Sequence, residues 1–191
     1  MLPQTGESRL IHRLGWPSAL AFAGIGLWIV ASAMDWEMAT IGLIFGSLIV
    51  LVVPLLGEAS TIRALSMKDR DRWMTVWPLA LLAGWLTVAS PLNLITVATG
   101  NGDLPSMLSP TVWAMLAIGV VGLFTLFMTR ALRTFAWCIP VAWGLVGAFV
   151  AEHQRNPALG IFALAAAIAV LVGATVLIVN FRRRVERPVS A

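Results

Sequence analysis

The chain has 191 residues, of which 59% are hydrophobic and only 12% are charged. A soluble domain is roughly half apolar and about a quarter charged, so this composition excludes an ordinary soluble fold and indicates an integral membrane protein. The net charge of +4 does not indicate a nucleic-acid partner, because the basic residues are spread over several segments, and the single cysteine, Cys138, excludes a disulfide framework.

Six hydrophobic segments follow one another along the chain, each near the roughly 20 residues that a membrane-spanning helix needs. In chain order, we predict helices at Pro17–Met34, Met38–Leu56, Trp73–Val97, Pro110–Thr129, Thr134–Val150 and Pro157–Phe181. Three of these helices begin with a proline, a residue that the first helical turn tolerates, and Ser109 and Asn156 precede two of them as N-cap candidates. The sequence therefore predicts an all-α polytopic protein, a single membrane domain over residues 1–191 built as a bundle of six transmembrane helices.

The distribution of charge predicts the orientation of this bundle. With the N-terminus inside, 12 of the 13 Lys and Arg residues fall on the cytoplasmic side, and Arg155 is the exception. Four acidic residues fall in the outer loops: Asp35, Glu37, Asp103 and Glu152. This pattern follows the positive-inside rule and predicts that both termini are cytoplasmic. The terminal stretch "FRRRVER" could contact anionic lipid headgroups, although a plain anchoring role is favoured.

The predicted spans contain no Asp, Glu, Lys, Arg or His, which argues against a proton-coupled pump. The chain has no phosphate-binding loop, no zinc-protease motif and no serine-hydrolase motif. His12 and His153 fall on opposite sides of the predicted membrane, so they cannot form one metal site. We therefore predict neither catalytic residues nor a metal site.

The third predicted helix carries the most costly polar side chain, Asn93. Its carboxamide needs a partner in lipid, and that partner is either another helix, in a hydrogen bond contributing about 0.6–2 kcal/mol, or a ligand in a pocket. Pro91 and Pro140 are expected to kink the third and fifth helices, because each lacks a backbone N–H. These residues alone favour helix packing over a pocket.

Two further patterns concern helix contacts and aromatic residues. Gly42 and Gly46 form a GxxxG motif that predicts close helix packing, either within the bundle or in a dimer. Five of the nine tryptophans lie near predicted span ends, as expected of an interfacial belt: Trp16, Trp36, Trp73, Trp77 and Trp113. The four deeper indoles each need a hydrogen-bond acceptor: Trp28, Trp85, Trp137 and Trp143.

The stretch "WPLALLAGWLTVASPLN" resembles the last-helix signature of the TspO/MBR family, the tryptophan-rich sensory proteins that include the translocator protein. The matching residues are Pro78, Trp85, Ala89 and Asn93. The following "TVWAMLAIGVVGLFTLFMTR" is similar to the extended bacterial members, and the resemblance covers roughly residues 10–175. The early Pro-rich, aromatic helix of the family is not found in this chain.

The resemblance implies a non-enzymatic protein of the bacterial inner membrane that binds an apolar or tetrapyrrole-type ligand, or a lipid, between its helices. It implies no required cofactor. Trp85, Ala89 and Asn93 would line the site, with Trp77, Trp28 and Trp143 as aromatic walls. One alternative is a structural or assembly subunit, as a homodimer or with other membrane subunits. A small-molecule transporter is ranked last, because intramembrane charge and inverted repeats are absent.

Overall fold

A computed structural model describes residues 8–185, with side chains described as far as residue 181. The regular structure of this part of the chain is entirely helical, which confirms the predicted fold class there. The helices are α1 (Arg9–Ala33), α2 (Glu37–Gly57), α3 (Ala59–Ala64), α4 (Trp77–Asn101), α5 (Pro110–Leu132), α6 (Cys138–Glu152) and α7 (Pro157–Val185), and a π-helical turn at Arg72–Val76 leads directly into α4.

Five of these segments are long and apolar enough to cross a membrane: α1, α2, α4 with its π-helical turn, α5, and α7 as far as Phe181. They correspond to five of the six predicted spans, so the chain has the helices of a multi-pass membrane protein. The sixth, α6, has 15 residues and is shorter. A sixth crossing and the cytoplasmic position of both termini stay predictions.

Several helices extend beyond their predicted bounds, among them α1 and α4. The first begins at Arg9 instead of Pro17, because the Ser8 hydroxyl caps it by accepting a hydrogen bond from the Ile11 N–H at 3.4 Å. Pro17 therefore lies inside α1. Helix α4, which corresponds to the third predicted helix, continues past Val97 to Asn101. It ends at Gly102, whose φ of +72° is the left-handed conformation that glycine adopts at helix C-termini.

The helix predicted from Thr134 begins instead at Cys138, which changes the role of Pro140. This proline lies in the first turn of α6, where a missing N–H removes no bond within the helix. The prediction of a kink at Pro140 is therefore wrong, because the helix starts later than predicted. Pro91 does lie inside α4, which is helical on both sides of it, and the bend expected there stays a prediction.

The centre of the bundle is α4, which packs against α2, α5 and α6. Its crossing with α6 is close, because a Cβ built on Gly84 would lie 2.4 Å from the Trp137 carbonyl oxygen. Trp137 is fully buried at this crossing and meets Phe124 of α5 edge-on, with ring centroids 6.2 Å apart. The glycine therefore sets how closely α4 and α6 approach.

One end of the bundle, here called the basic end, gathers the start of α1, the end of α2, α3, the start of α4, and the ends of α5 and α7. Near α1, two arginines share one carboxylate: Arg9 Nη2 lies 3.4 Å and Arg13 Nε 3.9 Å from Glu58 Oε1. The Ser8 hydroxyl donates to the Asp71 carboxylate. These contacts attach the first helix to the loops that precede α4.

The segment between α3 and α4 is held by a largely buried arginine, Arg72. Its guanidinium donates to the carbonyl oxygens of Ser66 at 3.1 Å and Leu65 at 2.7 Å. Charge-assisted hydrogen bonds of this kind are stronger than neutral ones. The arginine thereby closes the turn that directs the chain into α4.

Acid should weaken the basic end through Glu58. The Thr61 hydroxyl, which donates to Glu58 Oε2 at 2.8 Å, and the nearby Arg9 and Arg13 hold the pKa of this carboxyl below its usual value of 4.5, although partial burial opposes them. Because the folded-state pKa is depressed, the stabilisation is present above pH 4.5 and is lost as the pH falls through the folded-state value.

We therefore expect the melting temperature of the purified protein to fall more steeply below pH 4.5 than that of the Glu58→Gln variant. The exposed Asp103→Asn variant is the matched control and should follow the unmodified protein. Parallel melting profiles for the unmodified protein and Glu58→Gln would show that this carboxylate is not responsible.

Candidate functional site

Two residues of the α4 signature, Pro78 and Trp85, lie on a stripe on the outside of the bundle. At about 100° per residue, positions seven apart fall on nearly the same side of a helix, so Pro78, Trp85 and Leu92 follow one line. All three are exposed, Trp85 by 47% and Leu92 by 61%. The opposite side of α4 carries Ala83 and Thr87, which are buried. Trp85 therefore faces away from the core, towards the surrounding lipid.

Trp143 of α6 lies beside the same stripe. Gly84 approaches Pro140 and Val88 approaches Gly144, so α4 and α6 run parallel. Trp85 follows the contact residue Gly84 of α4 by one position, and Trp143 precedes the contact residue Gly144 of α6 by one position. In parallel helices, these opposite steps place the two side chains on the same side of the seam. We call Pro78, Trp85, Ala89, Leu92 and Trp143 the Trp85–Trp143 face.

Asn93 lies at the edge of this face and contacts another helix. Its Nδ2 donates to the Thr40 hydroxyl of α2 at 3.0 Å, and that hydroxyl donates to the Glu37 carbonyl oxygen at 2.6 Å. This is the interhelical bond that the packing interpretation of Asn93 predicts. Ala89, one turn earlier, is partly buried against the core. Within the signature, Trp85 is therefore exposed, whereas Asn93 makes a contact with α2.

The other two predicted aromatic walls lie away from Trp143. Trp77 stacks on Trp73, with ring centroids 4.8 Å apart, at the start of α4. Trp28 of α1 packs against the core, and its indole nitrogen is buried without a hydrogen-bond partner among the described residues. The structure therefore brings Trp85 and Trp143 to one face, and it does not place Trp77 or Trp28 on that stripe.

The GxxxG motif of α2 makes no close contact with another helix of the bundle. A Cβ on Gly42 or Gly46 would meet no atom within 4 Å. Close helix approach occurs elsewhere, at Gly24, where a Cβ would lie 2.2 Å from the Ser47 hydroxyl, and at Gly84. Of the two packing roles predicted for Gly42 and Gly46, contact within this bundle is wrong, and the dimer contact stays a prediction.

Two grooves lie at the basic end, and they share only Pro78 with the Trp85–Trp143 face. One, of about 290 Å³, lies between α1 and the start of α4 and includes Leu14, Phe22, Met74 and Pro78 in its lining. The other, of about 370 Å³, runs along α1 beside Trp16. None of the six predicted ligand residues lines either groove. Within residues 8–185, no cluster of three or more His, Cys, Asp or Glu side chains could hold a metal ion.

A comparison with models of protein families shows to which family the chain belongs. The family described as TSPO-like protein matches residues 1–176. The chain belongs to this TSPO-like family. The match confirms the resemblance inferred from the α4 signature, and it identifies a membrane protein of the TSPO type. No curated protein and no solved structure matched this TSPO-like chain.

Sequence reasoning missed three contributors to the geometry of this TSPO-like protein. Gly84 and Trp137 form the α4–α6 crossing that places the two exposed indoles, and Phe181 of α7 lies against two arginines. A signal for the last was present, because Arg130 and Arg133 are one helical turn apart and Phe181 begins a basic run. The side chains of that run beyond Phe181, and hence most of the predicted "FRRRVER" lipid contact, lie outside the described residues.

Proposed function

We propose that this TSPO-like protein is a non-enzymatic membrane protein that binds a flat apolar ligand of the tetrapyrrole type on the Trp85–Trp143 face. The observation that carries the proposal is the position of two large indoles on one side of the α4–α6 seam, Trp85 exposed by 47% and Trp143 by 72%. The positive-inside charge pattern supports a bacterial inner-membrane location with both termini cytoplasmic.

Indole rings suit a macrocycle for two reasons. Each offers a large π surface, and stacked aromatic pairs contribute about 0.5–1.5 kcal/mol beyond the burial of their area. The face is also bounded on two sides, because α6 packs on one side of α4 and α2 packs on the other. The contact with α2 includes the hydrogen bond from Asn93 to Thr40. A planar ligand can therefore lie along α4 and contact both indoles.

Entry from the bilayer fits the same geometry. The face opens directly towards lipid, so an apolar ligand dissolved in the membrane reaches it without a channel through the bundle. Leu92 and Ala89 extend the apolar floor beyond Trp85. The ligand has only to displace lipid chains from this face.

Binding of protoporphyrin IX to the purified protein in nanodiscs tests the proposal, with the shift of the porphyrin absorption band as the readout. We expect the double variant Trp85→Ala/Trp143→Ala to bind about tenfold more weakly, because two stacking contacts are lost. Trp16→Ala/Trp36→Ala is the matched control, since it removes two exposed indoles elsewhere.

An unchanged affinity in the Trp85/Trp143 double variant would contradict the proposed site. An equal loss in the control variant would show that porphyrin simply partitions onto exposed tryptophans. Saturable binding that is lost only in the Trp85/Trp143 variant would support the proposal.

A second candidate function, assembly with a second copy or another membrane subunit, rests on the uncovered α2 motif. Gly42 and Gly46 leave space beside α2 that a neighbouring helix can fill. The mass of the particle in mild detergent, measured with Gly42→Leu/Gly46→Leu as the comparison, tests it. Assemblies lost in this variant would support the function, and a monomer for both proteins would contradict it.

A further inference from the structure

We infer that the ends of α5 and α7 form a binding site for the phosphate group of an anionic phospholipid. The site consists of the guanidinium groups of Arg130 and Arg133, which contact Phe181, and of Arg63, which is held beside them at Ala131. We call it the Phe181 arginine cluster. It lies at the basic end of the bundle, away from the Trp85–Trp143 face, so it is independent of the proposed ligand function.

The geometry holds two of these cations against one ring. The guanidinium carbon of Arg133 lies 4.8 Å and that of Arg130 lies 5.9 Å from the Phe181 ring centroid. Both distances are within the range of attractive cation–π contacts. Because both groups contact one phenyl ring, they are held close together, although like charges repel.

A third guanidinium joins them from a distant part of the chain. Arg63 Nη1 donates to the Ala131 carbonyl oxygen at 3.0 Å, so its charge lies beside the last turn of α5. Ala131 is the residue directly after Arg130 and two before Arg133. Segments of α3, α5 and α7 thus converge on one small region with three exposed cations.

The cluster differs from the start of α1 in its charge balance. Near α1, Arg9 and Arg13 are paired with Glu58. Among residues 8–181, no carboxylate lies within ion-pair distance of Arg63, Arg130 or Arg133. A group of cations concentrated in this way, with no internal counterion among the described side chains, is stabilised by an external anion.

A phospholipid phosphate is the anion that fits the position. The cluster lies where the apolar α5 and α7 end, which is the level of the lipid headgroups. Arginine guanidinium groups bind phosphate oxygens through two parallel hydrogen bonds, and basic pockets between helix ends bind anionic headgroups. The chains of the same lipid can pack along the exposed Leu123 and Phe127 of α5.

Native mass spectrometry of the full chain in detergent tests this site, with phosphatidylglycerol and phosphatidylcholine of identical acyl chains as probes. We expect phosphatidylglycerol to bind preferentially, and we expect Arg130→Gln/Arg133→Gln to lose about tenfold in affinity for it. Phe181→Leu should show a smaller loss, because the charges remain but their alignment does not. Lys68→Gln/Arg155→Gln removes the same net charge outside the cluster and should bind like the unmodified protein.

Three results would overturn the inference. Equal losses of affinity for phosphatidylglycerol in the two double variants would show that only the net charge of the protein matters. Equal binding of the two lipids would remove the role of the anionic headgroup. Displacement of phosphatidylglycerol by millimolar inorganic phosphate would assign the cluster to a soluble anion instead of a lipid.

Discussion

Replacing Trp137 with alanine should lower the free energy of unfolding by about 3 kcal/mol or more. The side chain is 0% exposed and contacts Phe124 edge-on. Lipid is as apolar as the bundle interior, so most of the loss comes from the cavity and the missing contacts, which the backbone at the α4–α6 crossing cannot refill. Unfolding of the purified protein by titration with a denaturing detergent measures the effect.

Trp143→Ala is the matched control for this substitution. The same atoms are removed from a neighbouring turn of the chain, but Trp143 is 72% exposed, so lipid fills the space that the ring leaves. We expect a change in unfolding free energy within about 0.5 kcal/mol. Similar losses at both positions would show that Trp137 is not packed as the structure describes.

Gly84→Ala should have a comparably large effect for the opposite reason, because one added methyl group has no space. Its Cβ would lie 2.4 Å from the Trp137 carbonyl oxygen and 2.8 Å from Pro140 Cγ. The first obstacle is backbone, so α4 and α6 have to separate. We expect a loss of about 1–3 kcal/mol in the same unfolding titration, although alanine is intrinsically the better helix former.

Gly100→Ala in the same helix is the control, since a Cβ there meets nothing within 4 Å. It should leave stability unchanged or raise it by up to about 1 kcal/mol. In addition, Gly84→Ala and Trp137→Ala should not be additive, because the two residues share one contact. Additive losses would contradict a common crossing.

Hydropathy was sufficient to predict five spans, because a bilayer imposes both length and apolarity on them. It could not place their ends. Pro17 resembles a helix start by composition, but Ser8, nine residues earlier, caps α1. The prediction left Arg9 and Arg13 outside the first helix, although α1 extends through them beyond the apolar segment.

The positions of side chains around each helix were harder to predict, for a physical reason. A transmembrane helix is apolar on all sides, so its sequence carries little signal about which side is buried. The motif Gly42–Gly46 and the crossing residue Gly84 look equally suited to close packing, yet only Gly84 has a neighbour in the bundle. Likewise, Trp85 and Trp137 both appeared deep, and only Trp137 is buried.

The shortness of α6 has a consequence for the bilayer itself. As a crossing element of 15 residues, it is about 22 Å long, whereas the hydrocarbon layer is about 30 Å thick. The chain before it, at Thr134 and Ala136, is buried by protein and so avoids exposing unpaired backbone to lipid. In the predicted six-helix bundle, the lipids next to α6 would have to compress along its flank, and we expect this side of the protein to favour membranes with shorter acyl chains.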